Sequence, residues 1–163
     1  MPPWSSKSKQ ASAQLTKVQS NIKNNILTSV TEAVSELQYQ YRNCGDPLAS
    51  NDITTRLCTA LEACFIHGLK ETFLGRLQNR FSEGGVGSPR MPEPSFWTFA
   101  LVFSHKEVIS QIDNLSQIST DVGRGRAWLR LALNDGLLLS YLSTMIADKV
   151  SLAVHYEKFA FLR

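Results

Sequence analysis

From Leu15 onwards the apolar residues recur at Leu15, Val18, Ile22, Ile26, Val30, Val34, Leu37 and Tyr41. Steps of three and four put them on one face of a helix, so the spacing predicts an amphipathic helix over about 14–42. Gly45-Asp46-Pro47 stops it. Asn51-Asp52 can cap a second helix, whose stripe is Ile53, Leu57, Leu61, Cys64, Phe65 and Leu69. Cys64 is then a small core residue.

The stretches between the stripes organise the rest. Residues 1–12 are polar, with prolines and serines, and are expected to form an unstructured lead in which Trp4 is a stray exposed aromatic. Residues 82–95, SEGGVGSPRMPEPS, are expected to be a flexible loop. Ser95 is placed to cap a short helix with Phe96, Trp97, Phe99 and Val102. Ser104-His105-Lys106-Glu107 has the spacing of a capping box. The helix after it presents Val108, Ile112, Leu115 and Ile118. A nearly apolar helix follows at Ala127–Leu133, and another from about 137 with Leu138, Tyr141, Leu142, Met145 and Ile146. The tail SLAVHYEKFAFLR is apolar and leaves Phe159, Phe161 and Leu162 expecting a cover. With no internal repeat and no sustained heptad, this is an all-α chain: one helical bundle of about six to eight helices.

Composition changes this picture little. At 163 residues and 43% apolar content, the chain suits one domain with a proper core. A net charge of +3, from 17 basic and 14 acidic residues, is slight for a nucleic-acid module. Cys44, Cys58 and Cys64 contain no C-x-x-C pair, so neither a disulfide framework nor a zinc site is suggested, and a reducing compartment fits. There is no signal-peptide pattern and no run long enough to span a bilayer.

Candidate chemistry is sparse. His67, His105 and His155 are scattered, and no nucleophile elbow, H-E-x-x-H or P-loop occurs. No enzyme, metal or cofactor is expected. The stretch Thr120–Gly136, TDVGRGRAWLRLALNDG, is different. Arg124 and Arg126 stand at the expected mouth of a helix, where the dipole disfavours cations. Together with open backbone N–H groups they are expected to make an anion-seeking corner. Arg126, Arg130 and Asn134, four residues apart, line one polar stripe on a helix otherwise apolar. The plain alternative is that Gly123 and Gly125 loosen a helix start and the arginines are solvated. His67, at the edge of the second stripe, is either a structural hydrogen-bonder or a member of the basic corner.

LCTALEACFIHGLK, then FW, then TDVGRGRAWLRLALNDGLLLSYL together resemble the RUN domain. The likeness is strongest to the N-terminal RUN domain of the pleckstrin-homology-domain-containing family M adaptors of late endosomes and lysosomes. The RUN domains of one sorting-nexin type are the second choice. The likeness runs from about Leu57 to Arg163, so the domain is set at 13–163 with its core motifs at 51–163.

The resemblance implies a non-catalytic, all-helical adaptor module. Its partner is a GTP-loaded small GTPase of the Arf-like or Rab kind, in late endosome/lysosome trafficking or autophagy. It implies a cytoplasmic protein, peripheral on those membranes, with membrane contact indirect through the GTPase. Carried across, His67, Arg124, Arg126 and Arg130 are the partner-binding residues, and no cofactor is needed. RUN domains continue through one or two helices beyond the position of Arg163, so the bundle is expected to lack its last helices. Two other readings compete: a self-associating helical scaffold, prompted by the apolar tail, and a weak nucleic-acid binder, prompted by Arg-Gly-Arg.

Overall fold

The computed structural model describes residues 4–42, 52–70 and 94–163, with the side chains of the first helix described from Gln10. Among these residues are seven helices: α1 (Trp4–Gln40), α2 (Asp52–Ile66), α3 (Trp97–Phe103), α4 (Lys106–Asp113), α5 (Asp121–Asn134), α6 (Leu138–Ala147) and α7 (Lys149–His155). The architecture is all-α, as the stripes predict. The expected stop at Gly45-Asp46-Pro47, Cys44 and residues 82–93 of the expected loop lie outside the described residues. Two compact units are present, Met1–Ala63 and Cys64–Arg163.

In the first unit, α1 has 37 residues and is therefore about 55 Å long. It begins at Trp4, inside the stretch expected to be an unstructured lead. The physical reason lies in what that stretch lacks. No glycine or proline occurs from Trp4 to Arg42, and its alanines, lysines and glutamines are good helix formers even where no apolar stripe announces them. Hydroxyls along the helix bond back to the carbonyls four residues earlier, as Thr31 does to Leu27 at 2.8 Å. From Asn25 on, α1 faces the start of α2 across a cleft of about 480 Å³, bridged by an ion pair between Arg56 and Glu36. Ala33 is buried there.

The second unit is built on aromatic side chains. The Phe65 and Phe96 rings stack with centroids 4.6 Å apart, and Trp128 meets both edge-on, at 5.8 and 6.1 Å. Tyr141 lies 5.0 Å from Trp128 on its other side. A second group joins Phe99 to Tyr156 at 4.9 Å and to His155 at 5.2 Å. Such edge and stacked pairs add to what their burial alone contributes. Trp128, Phe65, Phe96, Phe99 and Tyr156 are fully buried. Helix α5 is the hub and touches α3, α4 and α6.

Helix ends are closed by local chemistry. Gly136 takes φ +67°, and its N–H and that of Leu137 bond back to Leu133 and Ala132. That is the Schellman arrangement, which only glycine adopts without strain. Asp148 accepts from the backbone N–H groups of Val150 and Ser151 and from the Ser151 hydroxyl, at 2.7–3.1 Å. These bonds to Ser151 and Val150 hold its carboxyl below the usual range. The expected capping box at Ser104 does not form. His105 caps α4 instead, its ring accepting from the Glu107 N–H at 3.4 Å. The Ser104 hydroxyl is taken by the core: it donates to the Ala100 carbonyl and accepts from the Trp128 indole. Ser95 accepts from the Trp97 N–H, close to its expected role.

The C-terminal tail is docked. Leu69 pairs with Tyr156 in an antiparallel bridge, and the Lys70 N–H donates to the His155 carbonyl at 2.8 Å. The Glu157 N–H donates to the Gly68 carbonyl at 2.8 Å. The Tyr156 hydroxyl donates to the Phe65 carbonyl at 2.7 Å. Ala160 and Leu162 are buried, and of the three residues expected to want a cover only Phe159 is exposed.

Candidate functional site

The arginine-bearing segment starts one turn earlier than the sequence suggests. Thr120 is the cap of α5, its hydroxyl accepting from the Gly123 N–H at 3.1 Å, and Asp121 supplies the first-turn acid that the dipole favours. Arg124 and Arg126 therefore sit inside the helix, and the Arg124 N–H is already bonded to the Thr120 carbonyl. The anion-seeking corner does not form, for two reasons. The Gly123 and Arg124 N–H groups are bonded to Thr120, and residues two apart point to opposite sides of a helix.

The glycines prove to be packing residues. A Cβ on Gly125 would lie 3.2 Å from the Phe96 ring, and one on Gly123 would lie 2.8 Å from the Ile118 side chain. They let α5 approach its neighbours; they do not loosen it. Gly125 is itself buried.

The two arginines have separate environments. Arg124 folds back on Asp121 at 2.9 Å and reaches Asp113, at the end of α4, at 3.3 Å. Its side chain is only 28% exposed. Arg124 thus ties α4 to the start of α5. Arg126 is exposed, as is Asn134, and Arg130 between them is half-buried. These three form the polar stripe that the four-residue spacing implies, on the helix carrying Trp128, Leu129 and Ala132 into the core.

His67 lies in the turn after α2, half-buried, with its ring 5.9 Å from Phe159. Its neighbour Gly68 has φ +74°, and a Cβ there would meet Ala160 at 2.6 Å. The HGL motif is therefore the place where the end of α2 is locked to the C-terminal tail. Sequence reasoning missed Asp113 and Asp121 as the partners of Arg124. The second was readable from its three-residue spacing; the first was not, because it depends on how α4 packs.

Little else offers chemistry. Burial pushes the Cys64 thiol up to about 11, so it stays protonated and unreactive at neutral pH. Among the described residues no three His, Cys, Asp or Glu side chains gather as a metal ion requires. No helix among them is long and apolar enough to cross a membrane.

Comparison with known proteins bears on the same segment. The RUN domain profile matches residues 56–163. The human "Pleckstrin homology domain-containing family M member 2" is 28% identical over 141 residues, covering 84% of this chain and 12% of that protein. Its mouse counterpart is 31% identical over 125 residues, covering 74% of the chain and 10% of that protein. The human "RUN and FYVE domain-containing protein 1" is 34% identical over 99 residues, 60% of the chain and 12% of that protein. The chain thus spans about an eighth or less of these relatives' length. The profile match takes in the aromatic core, the HGL turn and the whole of α5, more than half of the chain, and on that ground this chain belongs to the RUN domain family.

Proposed function

We propose that this chain is a non-catalytic adaptor module that captures a GTP-loaded small GTPase of the Arf-like or Rab kind. The module serves trafficking at late endosomes and lysosomes, autophagy included. The observation that carries this reading is the stripe Arg126, Arg130 and Asn134, polar and open along most of its length, on a helix whose other faces fill the core. A helix so packed is a rigid mount, and charged forks held on a rigid mount lose less entropy on binding than forks on a loop. Arginine suits the acidic face of a GTPase because its planar fork pairs with carboxylates.

Within this reading the four expected residues divide. Arg126 and Arg130 touch the partner. Arg124 and His67 are positioning residues, the first holding α4 against α5 and the second belonging to the turn that the tail fastens. The RUN domain match over residues 56–163 supports this reading.

The test is capture of purified Arf-like and Rab proteins in their GTP- and GDP-loaded forms. Binding to one GTP-loaded protein, with loss in Arg126→Ala/Arg130→Ala, supports the proposal. Equal binding to both nucleotide forms, or to none of the panel, overturns it.

A further inference from the structure

The stripe of α1 is only half used. Towards its C-terminal end, Ile26 and Val30 are half-buried and Ala33 is buried, beside the cleft with α2. Towards its N-terminal end, Leu15, Val18 and Ile22 are 61%, 48% and 38% exposed, although they lie on the same face. Three aliphatic side chains in a row on one helix face are costly to leave in water.

Charge distinguishes the possible occupants. From Trp4 to Thr31 the helix carries Lys7, Lys9, Lys17 and Lys23, and no acidic residue appears before Glu32. The remaining polar positions are uncharged serine, threonine, asparagine and glutamine. A second copy of this helix would bring like charges together along both flanks of the stripe. An anionic lipid surface accepts the aliphatic side chains at the acyl boundary and the lysines at the headgroups. We infer that the N-terminal part of α1, through Leu15, Val18, Ile22 and the lysines around them, lies on anionic membrane as an interfacial amphipathic helix. The contact is direct, and so differs from recruitment through a GTPase. It also involves residues outside the matched stretch 56–163.

The experiment is flotation of the full chain with phosphatidylcholine vesicles, with and without phosphatidylserine, and with no GTPase present. The chain should float with the phosphatidylserine vesicles at low salt and stay behind with the neutral ones. Lys17→Gln/Lys23→Gln should weaken flotation about 25-fold, since each lysine near an anionic surface is worth about a five-fold factor. Leu15→Gln/Val18→Gln/Ile22→Gln should abolish it. The lysine pair leaves the apolar stripe intact, and circular dichroism checks that both variants keep their helix. Failure to float with phosphatidylserine vesicles overturns the inference. So does undiminished flotation of the lysine variant. A dimer in sedimentation velocity that the triple variant dissociates, without vesicle binding, assigns the face to self-association and also overturns it.

Discussion

The Trp128 indole N–H donates to the Ser104 hydroxyl at 2.8 Å, joining the middle of α5 to the junction between α3 and α4. The same hydroxyl donates its own hydrogen bond to the Ala100 carbonyl. A buried tryptophan is thereby both packed and satisfied. Trp128→Ala should cost about 3–5 kcal/mol, a large share of what a domain of this kind has. Ser104→Ala strands the indole N–H and should cost about 1–3 kcal/mol. Thermal unfolding followed by circular dichroism measures both. An unchanged melting temperature for Trp128→Ala contradicts the aromatic core described above.

Gly68 sets a second fixed point. Its positive φ and the 2.6 Å separation that any Cβ would have from Ala160 both exclude a side chain. Gly68→Ala should destabilise the protein by about 2–4 kcal/mol, combining backbone strain with overpacking. Ala160→Gly in the same chain relieves only the contact with the Ala160 methyl, because the backbone Cα at 160 would still lie 2.6 Å away. The double variant should recover only a minor part of the loss, as read from chemical denaturation, and full recovery would contradict the strain at Gly68.

Arg124 and Arg126 should differ most in their effect on partner capture. Arg124→Ala removes the ties to Asp113 and Asp121 and should lower stability by about 0.5–1 kcal/mol. Arg126→Ala/Arg130→Ala should keep the helical circular dichroism of the folded chain. It should weaken capture of the GTP-loaded partner by roughly 30-fold, the loss expected when an arginine anchor is truncated. Calorimetry on each variant, with and without the GTPase, checks the division.

Alkaline pH should unfold the protein through two groups. Burial raises the Cys64 thiol from about 9 to about 11 and raises the Tyr156 hydroxyl well above its ordinary value near 10. Both are held neutral in the folded state, so their contribution is fully present below the unfolded values. It is lost as pH rises: from about 9 to about 11 for Cys64, and from about 10 upward for Tyr156. The loss is up to about 1.4 kcal/mol per pH unit for each group. Cys64→Ala should flatten the stability curve between about pH 9 and about 11, and Tyr156→Phe should flatten it above about pH 10. Denaturation midpoints across that range are the measurement.

Most of α2–α6 is legible in the sequence, because each carries a stripe that has something to bury, whereas α7 lies in a stretch legible only as an apolar tail. The start of α1 is not legible that way, since residues 5–14 are helical by propensity and hold no stripe. Ser104 was misread because its local spacing suits a cap, while its true partner stands 24 residues downstream. The stripe Arg126, Arg130 and Asn134 follows from helix period alone. The role of Arg124 does not, because Asp113 reaches it only once α4 is packed. The motif GRGR held two kinds of information in one string. Its glycines record how near Phe96 and Ile118 come, and its arginines face two different neighbourhoods.

The bond from the Tyr156 hydroxyl to the Phe65 carbonyl spans 91 residues of chain. Synthesis runs from the N-terminus, so Phe65 leaves the ribosome long before Tyr156 does. Until then the stacked rings of Phe65 and Phe96 lack the segment that fastens the end of α2. A nascent chain halted between Phe96 and Tyr156 therefore lacks the bond that fastens the end of α2 beneath its aromatic stack, and exposed apolar surface in such intermediates favours aggregation. The order of translation leaves the end of α2 unfastened until the segment around Tyr156 has been made.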